Sequence, residues 1–188
     1  MTDTTRFEIQ LSKAKLVKLL IFSILFFIIG LWLVIKQPET RNAFFNNPVI
    51  KNLAAYGGTL MGVIGIYFYS KKLLDKRPGL IIDEKGIIEN ATVFSFGLIP
   101  WTDIAEIYDN SIQVSMASKQ SFITIGLTNP DIYIAREGSA IKRKLMELNL
   151  RNYGSPVHVS TNGLEMNHNE VLELLTERFE MSQRVSVL

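Results

Sequence analysis

The chain has no cysteine, and only two histidines and two tryptophans among its 188 residues. Without cysteine there is no disulfide, no thiol chemistry and no thiolate metal site, which fits a reducing compartment without establishing one. His158 and His168 lack a second histidine or a carboxylate at metal-ligand spacing, so structural or surface roles suit them better than ligation. There is no nucleophile elbow, no phosphate loop and no paired-carboxylate signature. No catalytic, cofactor-binding or metal-binding residue is therefore assigned, no cofactor is expected, and an enzyme is the least favoured function class.

Charge is missing too, in two places. Residues 19–35 and 52–70 carry none. In the first window 14 of 17 residues are Leu, Ile, Phe or Val, a composition worth roughly −4 to −8 kcal/mol for insertion into a bilayer. No small-x-small cleavage site follows it; the next residues are Lys36, Gln37, Pro38 and Glu39, which favours a retained helix over a signal peptide. The second window has only six such residues in 19, and four glycines. Its gain is roughly −2 to −4 kcal/mol, a marginal span on its own. Tyr56, Tyr67 and Tyr69 lie towards its ends, where amphipathic rings favour the membrane interface. The two spans are expected at about 17–36 and 50–70.

Gly58, Gly62 and Gly65 fall at i, i+4 and i+7, and Ser23 and Gly30 share a face of the first span. Stripes of small residues let backbones approach closely, so the two are predicted to meet. A glycine face serves self-association as readily as hairpin packing, and glycine is also simply commoner in membrane helices. Arg6, Lys13, Lys15 and Lys18 precede the first span, and Lys71, Lys72, Lys76 and Arg77 follow the second. Between the spans lie Lys36, Arg41 and Lys51. Eight cations against three predict that both termini are cytoplasmic.

Residues 1–77 carry 11 Lys/Arg against 4 Asp/Glu, whereas residues 78–188 carry 9 against 14. The pI of 8.8 averages a basic membrane segment with an acidic soluble one. Nucleic acid is excluded as a partner of the soluble part, because neutralising phosphates needs a basic surface there. Pro78-Gly79 ends the second helix, and the pattern then changes to short apolar runs with turn signals. Residues 80–82 and 87–88 predict a hairpin around Asp83-Glu84-Lys85-Gly86, with Gly86 left-handed. Further strands are predicted at 88–96, 100–108, 111–117, 121–127 and around Val157 and Val159. Asn129-Pro130 and Ser139 begin two helices, the second with Ile141, Leu145 and Leu148 on one face. Asn167 and Glu170 form a capping box for the last helix, with Val171, Leu174, Leu175 and Phe179 inward and Glu173, Glu177 and Arg178 facing water. Phe7, Ile9 and Leu11 alternate with polar residues and predict an additional strand-like segment that either adds to the sheet edge or covers an apolar patch. The domain division is 1–77, the strand-like segment and hairpin, and 78–188, the cytoplasmic domain.

The run Pro78 to Ile87, with Gly97-Leu-Ile-Pro-Trp-Thr-Asp-Ile104, resembles an uncharacterised family of bacterial membrane proteins that join a two-helix hairpin to a small cytoplasmic domain. The Trp101-x-Asp103-Ile104 element and the single C-terminal helix also resemble bacterial pleckstrin-homology-like domains. The resemblance implies an α+β fold: a strongly bent seven-stranded sheet or barrel closed by the last helix. It makes Pro78, Gly79, Asp83, Gly86, Trp101 and Asp103 motif positions of structural rather than chemical character. The two extra helices around 130–150 depart from the simplest version. Asn90-Ala91-Thr92 matches a glycosylation sequon that an inner location would leave unmodified.

Two functions remain open. One is a module in the inner membrane that binds another membrane or cytoplasmic protein, or itself. The other is a module that reads anionic lipid headgroups through Lys71, Lys72, Lys76 and Arg77, each worth about 1 kcal/mol beside an anionic leaflet.

Overall fold

The computed structural model describes residues 6–39, 41–92, 96–115 and 118–185. The chain forms two compact units: Ser12–Lys76, and Met1–Leu11 together with Arg77–Leu188. The N-terminal segment thus belongs to the second unit, and the division at 77/78 alone misses this.

The first unit is helical. Ser12 caps α1 (Lys13–Lys36), accepting from the Lys15 amide, and Gln37 closes it in the left-handed region at φ 42°. A short α2 (Ala43–Asn46) precedes α3 (Pro48–Leu74), which Asn47 caps with Pro48 in its first turn. Helices of 24 and 27 residues extend about 36 and 40 Å, well beyond the charge-free windows. Both are long and apolar enough to cross a membrane, and almost none of either apolar window is buried.

The second unit is α+β, with two antiparallel sheets. The first has the order β1 (Phe7–Ile9), β2 (Leu80–Ile82), β3 (Gly86–Glu89), β4 (Gly97–Pro100). The alternation at Phe7, Ile9 and Leu11 is realised as β1: Ile9 pairs with Leu80, its carbonyl accepts from the Gly79 amide at 2.8 Å, and Leu11 bridges Leu164. The second sheet has the order β5 (Ile104–Ser115), β6 (Ser118–Leu127), β7 (Val157–Val159). Among the described residues no ladder joins the sheets, so the single bent sheet or closed barrel is not what forms. A one-turn 3-10 helix, Trp101–Asp103, separates β4 from β5, and Pro100 before it has no amide to donate.

Other expectations need correction. The predicted strands 100–108 and 111–117 are one strand, β5. Asp109 and Asn110 read as turn residues, but they pair in register with Ile123 and Phe122. The strand predicted at 88–96 ends at Glu89, and residues 93–95 lie outside the described ones. Gly86 has φ 153°, the mirror-image extended region rather than the left-handed helical one. Glycine is needed there because a Cβ would collide with the Ile99 carbonyl.

Helix α4 (Pro130–Arg136) leads to α5 (Ala140–Tyr153), which Ser139 caps and Gly154 ends at φ 78°. The buried residue of α5 is Met146, while Ile141 is 76% and Leu145 43% exposed. The capping box is present: the Glu170 amide donates to Asn167 Oδ1 and the Asn167 amide to Glu170 Oε2, both at 3.1 Å. Helix α6 (His168–Val185) buries Val171 and Leu175 completely and packs across β5, β6 and the Trp101 turn. Arg178 does not point to water; its guanidinium lies 4.5 Å from the centre of the Phe7 ring.

Candidate functional site

Among the residues singled out from the sequence, those of the helical pair come together. A Cβ on Gly65 would run into Ser23 Oγ, one on Gly62 into the Phe27 backbone, and one on Gly30 into the Thr59 amide. The Gly58 backbone is itself the next neighbour of Gly30. These pairs step down the two helices in antiparallel register. The helices approach so closely that Gly30, Gly62 and Gly65 have no room for a Cβ. Ser23 and Thr59 return their hydroxyls to the Leu19 and Ala55 carbonyls, at 2.9 and 2.7 Å, so no polar side chain is stranded on an apolar helix. The opposite faces expose Phe22, Phe26, Ile29 and Trp32 on α1, and Leu53, Leu60 and Ile64 on α3.

The basic cluster is divided between the units. Lys71, Lys72 and Lys76 belong to the helical one and Arg77 to the other. Lys71, Lys76 and Arg77 are exposed. Lys72 differs from them: it is only 8% exposed, with Nζ 5.9 Å from the centre of the Phe68 ring one turn earlier.

The motif positions build one corner of the first sheet. Asp83 Oδ1 accepts from the Lys85 and Gly86 amides, closing the β2–β3 turn, and the Asp83 carbonyl accepts from Trp101 Nε1 at 2.9 Å. Asn90 donates its side-chain amide to the Pro78 carbonyl and its backbone amide to that of Gly79. The sequon asparagine is thus buried in this corner. A Cβ on Gly79 would overlap Leu164 and Leu11. Asp103 Oδ2 accepts from the Tyr133 hydroxyl at 2.6 Å, tying the start of β5 to α4. Burial first, then the Asp103 carboxylate, raises the Tyr133 hydroxyl well above the ordinary tyrosine range.

The histidines separate. His158 on β7 stacks edge-to-face with Phe122 and Tyr153, at 4.9 and 5.5 Å. Its Nδ1 lies 3.1 Å from Thr124 Oγ1, and its Nε2 is buried without a partner among the described residues. Burial lowers its pKa to about 4, against an opposing backbone hydrogen bond at Ser155. His168 Nε2 lies 2.8 Å from Asp109 Oδ1, joining the start of α6 to β5. The two residues are 59 positions apart, and no local signal in the sequence links them. Among the described residues no group of three or more His, Cys, Asp or Glu is placed to hold a metal ion.

No protein-family model matches the chain, and no curated protein or solved structure matches it.

Proposed function

We propose that the chain is an integral protein of the cytoplasmic membrane, a two-helix hairpin whose sheet unit acts on the cytoplasmic side as a non-catalytic interaction or assembly module. The observation that carries this reading is the pairing of an interlocked small-residue seam with an outer surface of Phe, Ile, Leu and Trp on α1 and α3. An apolar exterior of that extent on water-exposed helices would drive association, whereas hydrocarbon solvates it. The pairing of β1 with β2 supports the hairpin topology: the chain leaves the sheet unit at Leu11 and re-enters it at Arg77 from neighbouring strands. Two crossings that start and finish at adjacent points require an even number of spans. The eight flanking cations favour the cytoplasmic side for both ends.

A pleckstrin-homology-like variant is the finer fold reading we propose for the sheet unit. Four strands followed by three, with a terminal helix packed on β5, β6 and Trp101, support it. The second functional reading, lipid-headgroup binding, rests on Lys71, Lys76 and Arg77 without Lys72.

Photocrosslinking in cells distinguishes the readings. A photoreactive residue replacing exposed Leu98 or Met181 of the full chain gives a discrete protein adduct, or a dimer, on the module reading. Adducts to lipid alone contradict it.

A further inference from the structure

Helix α5 presents two distinct faces. Met146 is 1% exposed, the Tyr153 ring packs edge-to-face on Phe122 of β6 at 5.4 Å, and the Tyr108 hydroxyl donates to the Tyr153 carbonyl. These fix one side of the helix to the second sheet. At about 100° per residue, Ile141, Leu145 and Leu148 fall within a narrow arc whose centre lies roughly 120° round the helix from Met146 and Tyr153. Ile141 and Leu145 are exposed. Exposed Lys144 and Arg151 lie along the outer flank of that arc, and half-buried Lys142 lies between it and the anchored side.

The charge of α5 runs against that of its surroundings. Residues 78–188 are net acidic, yet Lys142, Arg143, Lys144 and Arg151 are four of their nine basic residues, with Glu147 as the one acid on the helix. Lys142 and Lys144 pair with Glu137 and Glu147 at 4.0 and 3.4 Å. These are surface pairs of a kind that contributes little and exchanges easily for other anions. An apolar stripe exposed at Ile141 and Leu145 and half-buried at Leu148, bordered by cations on a helix anchored elsewhere on its circumference, is the pattern of a helix lying in a membrane interface. The apolar side chains enter the headgroup boundary while the long cationic side chains reach the phosphates.

We propose that α5 is a membrane-surface contact that lays Ile141, Leu145 and Leu148 against an anionic phospholipid leaflet. This rests on the chain being a membrane protein, and extends it: the sheet unit is held on the leaflet by its own helix as well as by its two covalent links. An acidic protein surface is the competing occupant of the stripe.

The absence of cysteine makes the test clean, since one introduced cysteine carries one label. Full-length Ile141→Cys, Leu145→Cys, Glu147→Cys and Ile28→Cys, each spin-labelled, are placed in nanodiscs of phosphatidylcholine with or without phosphatidylglycerol. At 141 and 145, collision with a water-borne nickel chelate falls by about threefold or more in the anionic discs, and collision with oxygen rises. The effect reverses near 1 M salt, where the screening length shrinks to about 3 Å. Position 147, away from the stripe, stays open to the chelate. Equal chelate access at 141 in both disc types overturns the proposal. So does protection at 141 that is already present in neutral discs and indifferent to salt, which would mark a protein contact. Ile28, on the apolar exterior of α1, separates the two levels of the argument. Oxygen-rich surroundings at 28 with water at 141 sink the α5 contact alone, whereas water at 28 overturns it together with the membrane reading.

Discussion

Gly62 of α3 sits directly on the backbone of Phe27 of α1, so close that a Cβ at position 62 would lie 2.6 Å from the Phe27 nitrogen. Gly57, five residues earlier on the same helix, has nothing within 4 Å of its would-be Cβ. The same substitution therefore has opposite expected signs at the two sites. Gly62→Ala forces the helices apart and costs about 1–3 kcal/mol, the range for overpacking. Gly57→Ala is neutral or stabilising by up to about 1 kcal/mol, through helix propensity. Unfolding of the helical pair in detergent by thermal scan or steric trapping, variant against parent, checks both. Equal effects would refute the seam.

Deleting residues 1–11 removes β1 and uncovers the β2 edge, along with the buried Ile9 and Leu11. Hydrogen exchange at Leu80–Ile82 in the full-length chain reads the result, with protection expected to fall by at least tenfold after deletion. Unchanged exchange would show that β1 is dispensable to the sheet.

His158 gives the sheet unit a pH dependence whose sign is fixed. Its pKa falls from an ordinary 6.5 to about 4 on folding, so between those values the unfolded chain binds more protons than the folded one. The stabilisation is complete above pH 6.5 and is lost progressively as the pH drops towards 4. With the ring partly exposed, it amounts to about 2 kcal/mol. His158→Phe, which keeps the contacts with Phe122 and Tyr153, should flatten this part of the stability profile. A variant that retains the full slope assigns it to other groups.

Tyr133→Phe leaves the Asp103 carboxylate without its 2.6 Å donor and is expected to cost about 1–2 kcal/mol. Denaturant titration of the sheet unit within the intact chain measures it. No loss would mean that the pair is replaced by water at no cost.

Much of this architecture could be read from residue order. A missing charge marks the helices whatever surrounds them, and small residues at spacings of four and seven place themselves on one face. The Asn167–Glu170 box and the Phe7–Leu11 alternation are likewise local signals. The errors come where tertiary context overrides local chemistry. Asp109-Asn110 looks like a turn, but in the ladder its backbone pairs with β6 while Asp109 meets His168. Spacing places Ile141, Leu145 and Leu148 on one face of α5 but does not say which face is buried; the helix uses Met146 for its core and leaves Ile141 outside. Arg178 looks like a solvated cation because only folding brings it to the Phe7 ring, whereas Lys72 lies one helical turn from Phe68, a spacing already present in the sequence. The partners of His158 and His168 come from distant strands, so no spacing pattern announces them.

The central claim, two spans with both ends inside, is tested most directly by an impermeant maleimide on intact cells expressing single-cysteine forms of this cysteine-free chain. Glu39→Cys, between α1 and α3, should label in intact cells, and Gln183→Cys, on α6, only after permeabilisation. Labelling of Gln183→Cys from outside, or protection of Glu39→Cys until the cells are opened, would contradict the account.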